Sequence, residues 1–306
     1  MVNTATSQAR DVVVSEEDCG MRLDQFAKKS FPEQLGSRRR SRITAKEGFL
    51  LVNGVACESG RVLLAGQTVT LLPLPIKERP VLPVAIQVVY EDDWMAVVEK
   101  PGGLLTNGNR FRTLENALPH NLTVSTHGDR LPRIRPVHRL DKATQGLVIV
   151  AKTQRAEIHL NRQFQDRKIQ KQYVAVVSGA LEGEGHIYVP VDGRHAETFW
   201  KSESVSRALR THWVTTVKLK PITGRTHQLR RHMQRIGHPI MGDALYGYRD
   251  QIYRGKGLFL GAVGLTFEHP ENGRPISLSI PEPSKFDSLR RREIRRWEKF
   301  FGKDAT

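Results

Sequence analysis

One stretch constrains the fold more than any other: Gly146-Leu147-Val148-Ile149-Val150-Ala151 is apolar without a break. A strand that faces water on one side alternates apolar and polar residues, so an unbroken apolar run reads as a strand covered on both faces. Such a strand belongs inside a sheet with further structure packed above and below it. Around it, strands and helices follow one another without a regular βαβ rhythm. Residues 87–90 and 95–99 read as strands on either side of the Asp92-Asp93 turn. Ala156, Ile158, Leu160 and Phe164 have helical spacing, and residues 173–177 and 214–219 read as strands. Pro221 and Gly224 then mark a turn before a helix over 228–234. Ile294, Trp297 and Phe301 lie on one stripe of an arginine-rich helix over 290–301, whose basic face is either solvated or in contact with a polyanion. The expected fold class is α+β, with a mixed, mostly antiparallel sheet and helices packed on it.

The first quarter of the chain reads differently. Residues 1–16 are polar and expected to be flexible. Leu23, Phe26 and Ala27 predict a helix, which Pro32 should break. Ser37 is placed to cap a second helix carrying Arg38, Arg39, Arg40 and Arg42. A short apolar strand over 48–52 closes on Asn53-Gly54, a strong hairpin signal, and residues 61–71 supply a turn and another strand. These elements make a small α/β domain over 17–74. Pro73, Pro75, Pro80 and Pro83, with Lys77, Glu78 and Arg79 among them, predict an extended linker over 75–84. The remaining residues, 85–306, form the larger domain.

Charge narrows the partners. Forty-eight Lys and Arg against 32 Asp and Glu leave a net charge of +16. A surplus of that size favours a polyanion, through phosphate contacts and counterion release. Cys19 and Cys57 stand in no metal-ligand spacing and are too few for a disulfide framework, which fits a reducing compartment. No signal-peptide core opens the sequence and no run is long and apolar enough to span a bilayer. The expectation is a cytoplasmic protein, acting as a monomer, with no membrane partner.

Three groups of residues can carry chemistry. His138-Arg139-Leu140-Asp141 sits at the mouth of the apolar strand, where a rigid sheet can hold a reactive carboxylate. A carboxylate there needs a cationic partner or it takes up a proton. Arg225, placed by the glycine turn in Thr223-Gly224-Arg225-Thr226-His227-Gln228-Leu229-Arg230, could hold Asp141 ionised by a charge-assisted bond. Lys171 and Tyr173 share one face of a strand, and a tyrosine beside a carboxylate can stack on a base. His227 and His232 are not spaced to share a helix face, so a zinc pair is not expected. Taken singly, each group also has a structural reading: a turn-capping aspartate, a solvated arginine helix, an ordinary strand aromatic.

Together these residues resemble the RluA family of ribosomal-large-subunit pseudouridine synthases. His138-Arg139-Leu140-Asp141 with Thr144-Gln145-Gly146 is similar to the family signature. Val89-Tyr90-Glu91-Asp92 with Glu99-Lys100-Pro101-Gly102-Gly103 resembles its first motif, and Lys171 and Tyr173 its lysine-x-tyrosine motif. Gly224 to Arg230, continuing through Gly237-His238-Pro239-Ile240 to Gly242-Asp243, is similar to its later block. Gln145 departs from the serine or threonine usual there. The 17–74 unit resembles an S4 RNA-binding domain. The resemblance implies isomerisation of uridine to pseudouridine in structured RNA, ribosomal RNA first and transfer RNA second. It implies Asp141 as nucleophile, Tyr173 packed on the target base, and Arg225 paired with Asp141. Arg139, with His138, would attend base flipping, and Arg38, Arg39, Arg40 and Arg42 would bind RNA. No metal or cofactor is implied. The alternative is a non-catalytic RNA-binding or ribosome-assembly factor on the same fold, which would have no need of Asp141, Tyr173 and Arg225 together. A metal-dependent nuclease would need a carboxylate cluster that the sequence does not offer.

Overall fold

The computed structural model describes residues 9–74, 80–248 and 256–302. The chain divides into two compact units, Met1–Glu78 and Arg79–Thr306, with the boundary inside the proline-rich stretch. Residues 1–8 and 75–79, on which part of the expected flexible terminus and linker falls, lie outside the described residues.

The first unit holds β1 (Arg10–Val13), α1 (Leu23–Ser30), α2 (Pro32–Leu35), α3 (Arg38–Lys46), β2 (Leu50–Val52), β3 (Val55–Ala56) and β4 (Thr68–Leu71). Its antiparallel sheet has the order β1-β4-β2-β3. The flexible reading of residues 1–16 is corrected here: β1 pairs with β4 from Arg10 opposite Leu71 to Val13 opposite Thr68, and Val14 is buried. Three consecutive valines supply the β preference, and burying Val14 anchors the strand. Pro32 does not simply end α1. It occupies the first turn of α2, where its missing N–H costs nothing. Ser37 caps α3 by accepting the N–H of Arg40. Asn53 and Gly54 both take positive φ, 50° and 79°, as a two-residue hairpin turn with matching twist requires. Leu23, Phe26, Phe31, Leu35, Leu50 and Val69 fill the core beneath the sheet.

The second unit is built on β5 (Gln87–Glu91), β6 (Met95–Lys100), α4 (Leu114–Asn121), β7 (Arg130–Pro136), β8 (Gln145–Thr153), α5 (Gln154–Gln165) and β9 (Gln170–Ser178). It continues through β10 (Glu184–Ile187), β11 (Thr198–Ala208), β12 (His212–Pro221), α6 (Gln228–Arg235), β13 (Leu260–Glu268), β14 (Pro275–Ser279) and α7 (Ser284–Phe301). The sheet runs β10-β11-β12-β9-β13-β8-β6-β5, with β14 on β13 and β7 on β8. Among these pairings only β8 with β13 is parallel, so the sheet is mixed and mostly antiparallel.

The apolar run is the heart of β8, and its two faces serve two cores. Val148 and Val150 pack with Leu114, Ala117 and Leu118 of α4. Leu147, Ile149 and Ala151 pack with Ala156 and Leu160 of α5 and with Leu265 and Phe267 of β13. The parallel seam is tight. Gly146 has φ of 131°, and a Cβ there would lie 2.1 Å from the Ala262 carbonyl oxygen, so only glycine lets β8 and β13 meet. Near the end of the chain, α7 buries Phe286, Leu289 and Trp297. The Arg207 guanidinium carbon lies 3.7 Å from the centroid of Trp213 and 5.1 Å from that of Trp297. Among the described residues no helix is long and apolar enough to cross a membrane.

Candidate active site

Asp141 belongs to the loop that enters β8, and its neighbours hold that loop from several directions. Thr106 Oγ1 donates to the Leu140 carbonyl at 2.9 Å and accepts the Leu140 N–H at 3.1 Å. Lys100, wholly buried at the end of β6, donates to the carbonyls of Leu104 at 2.8 Å, Pro101 at 3.0 Å and Lys142 at 3.4 Å. Burial pulls the Lys100 pKa down to about 8, and the charge of Asp141 works in the opposite direction. His138 turns inward. Its Nε2 accepts the Ile149 N–H at 3.0 Å, and its ring packs on Phe164. Burial, aided by the charge of Lys171, lowers its pKa to about 3, so it stands as a neutral acceptor. The residue grouped with Arg139 as an RNA contact thus fastens the loop to β8. Gln145 also has a fixed partner: its amide donates to Glu99 at 2.7 Å.

Across a cavity of about 330 Å³, Asp141 faces α6 and the turn before it. Arg230 NH1 lies 3.7 Å from Asp141 Oδ2, and His227 Nε2 lies 3.8 Å from Oδ1. The expected partner, Arg225, is elsewhere: its Nε donates to the His195 carbonyl at 3.1 Å. This corrects the pairing by five residues of sequence, from the turn before α6 to the helix itself. The reason is burial. Arg230 is on the inward side of α6 and its guanidinium grips Asp243 with two bonds of 2.7 Å. Burial alone would raise the Asp243 pKa, but Arg230 and the N–H groups of Leu245 and Tyr246 hold it below the usual carboxylate range. A buried arginine needs such a partner. The motif Gly242-Asp243 contains the acid, but its burial, which calls for a guanidinium, is visible only in the fold.

Tyr173 lies on β9 opposite Ala262 of the adjacent strand and lines the same cavity. Burial, and then the charge of Asp141, push its phenol pKa upward, so it remains a neutral ring. Lys171, two residues earlier on the same face, has its pKa lowered by burial. The turn into α6 is locked by Gln228. Its Oε1 accepts from Thr223 at 2.6 Å and from the Arg225 N–H at 3.0 Å, while its Nε2 donates to Glu197 and Thr198. The result is a half-open pocket with a carboxylate flanked by a cation and an imidazole, walled by an aromatic ring. That arrangement suits covalent attack on a planar, flipped-out base. Arg139 is exposed at the pocket's edge.

In the first unit, Arg38, Arg39, Arg40 and Arg42 stand on α3 as expected, but they are not alike. Arg42 Nε donates to Asp24 Oδ2 at 2.7 Å, Arg38 reaches the same oxygen at 3.4 Å, and Arg22 reaches Oδ1 at 3.3 Å. Asp24 is completely buried; burial favours its neutral form, yet bonds from Arg42 and Arg22 and the charge of Arg38 bring its pKa below normal. Nothing local in the sequence shows that three arginines converge on Asp24.

Comparison with known proteins fits this geometry. The family described as RNA pseudouridylate synthase matches residues 94–235, which include Asp141, Tyr173 and Arg230. The chain is 36% identical to an "Uncharacterized RNA pseudouridine synthase" of Aquifex aeolicus, over 88% of this chain and 92% of the relative. It is 36% identical to the "Ribosomal large subunit pseudouridine synthase D" of Pseudomonas aeruginosa, over 87% and 90% of the two chains. Among solved structures, human RNA Pseudouridylate Synthase Domain Containing 1 is similar, with a TM-score of 0.54 and 26% identity over 67% of this chain and 86% of that one. With the site assembled as described, the chain belongs to the RluA family of RNA pseudouridine synthases.

Proposed function

We propose that this protein isomerises uridine to pseudouridine in ribosomal RNA, with Asp141 as the nucleophile. The observation that carries the reading is the setting of Asp141: a carboxylate 3.7 Å from Arg230 and 3.8 Å from His227, on the wall of a cavity shared with Tyr173. The target nucleotide leaves its stack and enters that cavity, at a cost of a few kcal/mol. Tyr173 packs on the uracil, and Arg139 at the rim takes the vacated place in the RNA, where a guanidinium recovers part of the lost stacking. Asp141 attacks, the C–N bond breaks, and the uracil turns within the pocket to rejoin through C5. Ribosomal RNA is favoured over transfer RNA because the curated relatives that name a substrate name the ribosomal large subunit.

The first unit is proposed to be an S4-like RNA-binding domain, supported by the arginine face of α3 and the net charge of +16. The protein acts in the cytoplasm as a monomer in this reading. The test is to map pseudouridine at nucleotide resolution in cells lacking the protein, restored with wild type or with Asp141→Ala. Sites that return with wild type alone establish the activity and the substrate together. Restoration by Asp141→Ala would overturn the nucleophile.

A further inference from the structure

The turn after α6 does more than hold Arg230. Asp243 Oδ1 accepts the backbone N–H of both Leu245 and Tyr246, at 2.9 and 3.0 Å. That fixes where Tyr246 begins. Gly247 permits the turn to close: a Cβ there would lie 2.4 Å from the Asp243 carbonyl oxygen. The Tyr246 ring then faces the Arg230 guanidinium, 5.0 Å from its centroid, and its hydroxyl lies 3.1 Å from His227 Nδ1. His227 itself has φ of 55°, a left-handed conformation unusual for a side chain of this size and a feature that gathers at functional sites.

The directions of these contacts follow from donor chemistry. The Asp141 carboxylate only accepts, so any hydrogen bond between it and the ring nitrogen that faces it, Nε2, requires the proton on Nε2. In a neutral imidazole Nδ1 is then a bare acceptor, and the Tyr246 O–H donates to it. Nε2 and Asp141 Oδ1 are 3.8 Å apart, beyond a direct hydrogen bond, so the contact proposed here is one that tightens in the catalytic complex. We propose that Tyr246 is a positioning residue that sets the tautomer of His227, and that His227 holds Oδ1 of Asp141 through its Nε2–H while Arg230 holds Oδ2. One short turn, Asp243 to Gly247, thereby aims both groups that flank the carboxylate. This rests on Asp141 being the reacting group.

Two independent readouts test it, on the full-length protein with a transcript of large-subunit ribosomal RNA as the probe. Nitrogen NMR of His227 should show the proton on Nε2 in wild type and a mixture of tautomers in Tyr246→Phe. A proton on Nδ1 in wild type overturns the proposal. In single-turnover assays Tyr246→Phe keeps the ring beside Arg230 and loses only the hydroxyl. Its rate should fall about tenfold, the effect of one hydrogen bond to a positioned group, with RNA affinity unchanged. At position 227 the amide nitrogen of glutamine reproduces the placement of Nε2, whereas asparagine suits the left-handed backbone better. His227→Gln should therefore be the more active variant, with His227→Asn slower by about a hundredfold than wild type. If asparagine is the better substitute, His227 serves the backbone alone and the proposal fails. Asp141→Ala separates the two readings. If Asp141→Ala turns over, the nucleophile assignment is wrong. If it is inert while Tyr246→Phe matches wild type, only the positioning of His227 is wrong.

Discussion

The protein contains two aspartate–arginine clusters that use the same bond in opposite senses. In the first unit the acid is the scaffold: the Asp24 side chain is 0% exposed, while the Arg38 side chain that leans on it is 45% exposed. In the second unit the base is the scaffold: the Arg230 side chain is 7% exposed and pinned to Asp243, while Asp141 beyond it is 22% exposed. The buried partner sets geometry and the more exposed partner is the one presented outward. In the first case what is offered is a guanidinium array, suited to phosphate. In the second it is a single oriented carboxylate, suited to a nucleophile. Identical ion-pair chemistry thus presents a cation or an anion, according to which member is withdrawn from water.

The contrast is broken most visibly by removing the two acids in turn. Asp141→Ala should lower the single-turnover rate by at least about a thousandfold while RNA affinity holds, as expected for loss of a covalent catalyst. Asp24→Asn should do the reverse, weakening RNA binding and leaving the rate at saturating RNA intact. A fall in saturated rate for Asp24→Asn would show that the two clusters do not divide the work in this way.

Next in size is the scaffold of the second cluster. Arg230→Met leaves Asp243 buried without its cation and should cost about 3 kcal/mol of stability, together with turnover. Replacing both, Arg230→Met with Asp243→Leu, should recover much of the stability and none of the activity, because a buried pair is readily exchanged for apolar groups. Denaturant unfolding and a turnover assay on the same samples check both halves. The pH dependence follows the same bond. The folded pKa of Asp243 is depressed, so its contribution is present above the unfolded aspartate value and is lost as pH falls through the folded one. The stability gap between wild type and the double variant should accordingly narrow below about pH 4.

The smallest effects belong to single arginines of α3. Each one that touches phosphate should reduce the slope of log affinity against log salt by about 0.7 to 0.9 when neutralised. Arg39→Gln and Arg38→Gln compare an arginine without and with Asp24 behind it. If the slope is unmoved by either, α3 does not face RNA.

Much of the fold was legible because it rests on local chemistry. The apolar run at 146–151, the Ser37 cap and the Asn53-Gly54 turn each carry their signal within a few residues. β1 was missed because its valines stand among charged residues, and its partner strand lies beyond α3. In the site, Asp141 and Tyr173 were readable from motifs, whereas the partner of Asp141 was misplaced from Arg230 to Arg225. Periodicity reports which face is apolar, and a buried arginine looks like an error in that pattern until its acid is found. The same holds for Gln145, whose bond to Glu99 joins two strands that the sequence separates.

The seam at Gly146 has a consequence for how the molecule acquires its function. The loop bearing Asp141 runs into β8, yet β8 is joined to β9, the strand of Tyr173, only through β13, which comes after α6. Pairing Gly146 with Ala262 closes one of the longest loops in the chain, and contacts of that separation form slowly. A nascent chain that has made Asp141, Tyr173 and Arg230 still lacks the strand that sets the first beside the second. The strand that brings β8 and β9 into one sheet is thus made after both of them, and the two come side by side only when β13 pairs with each.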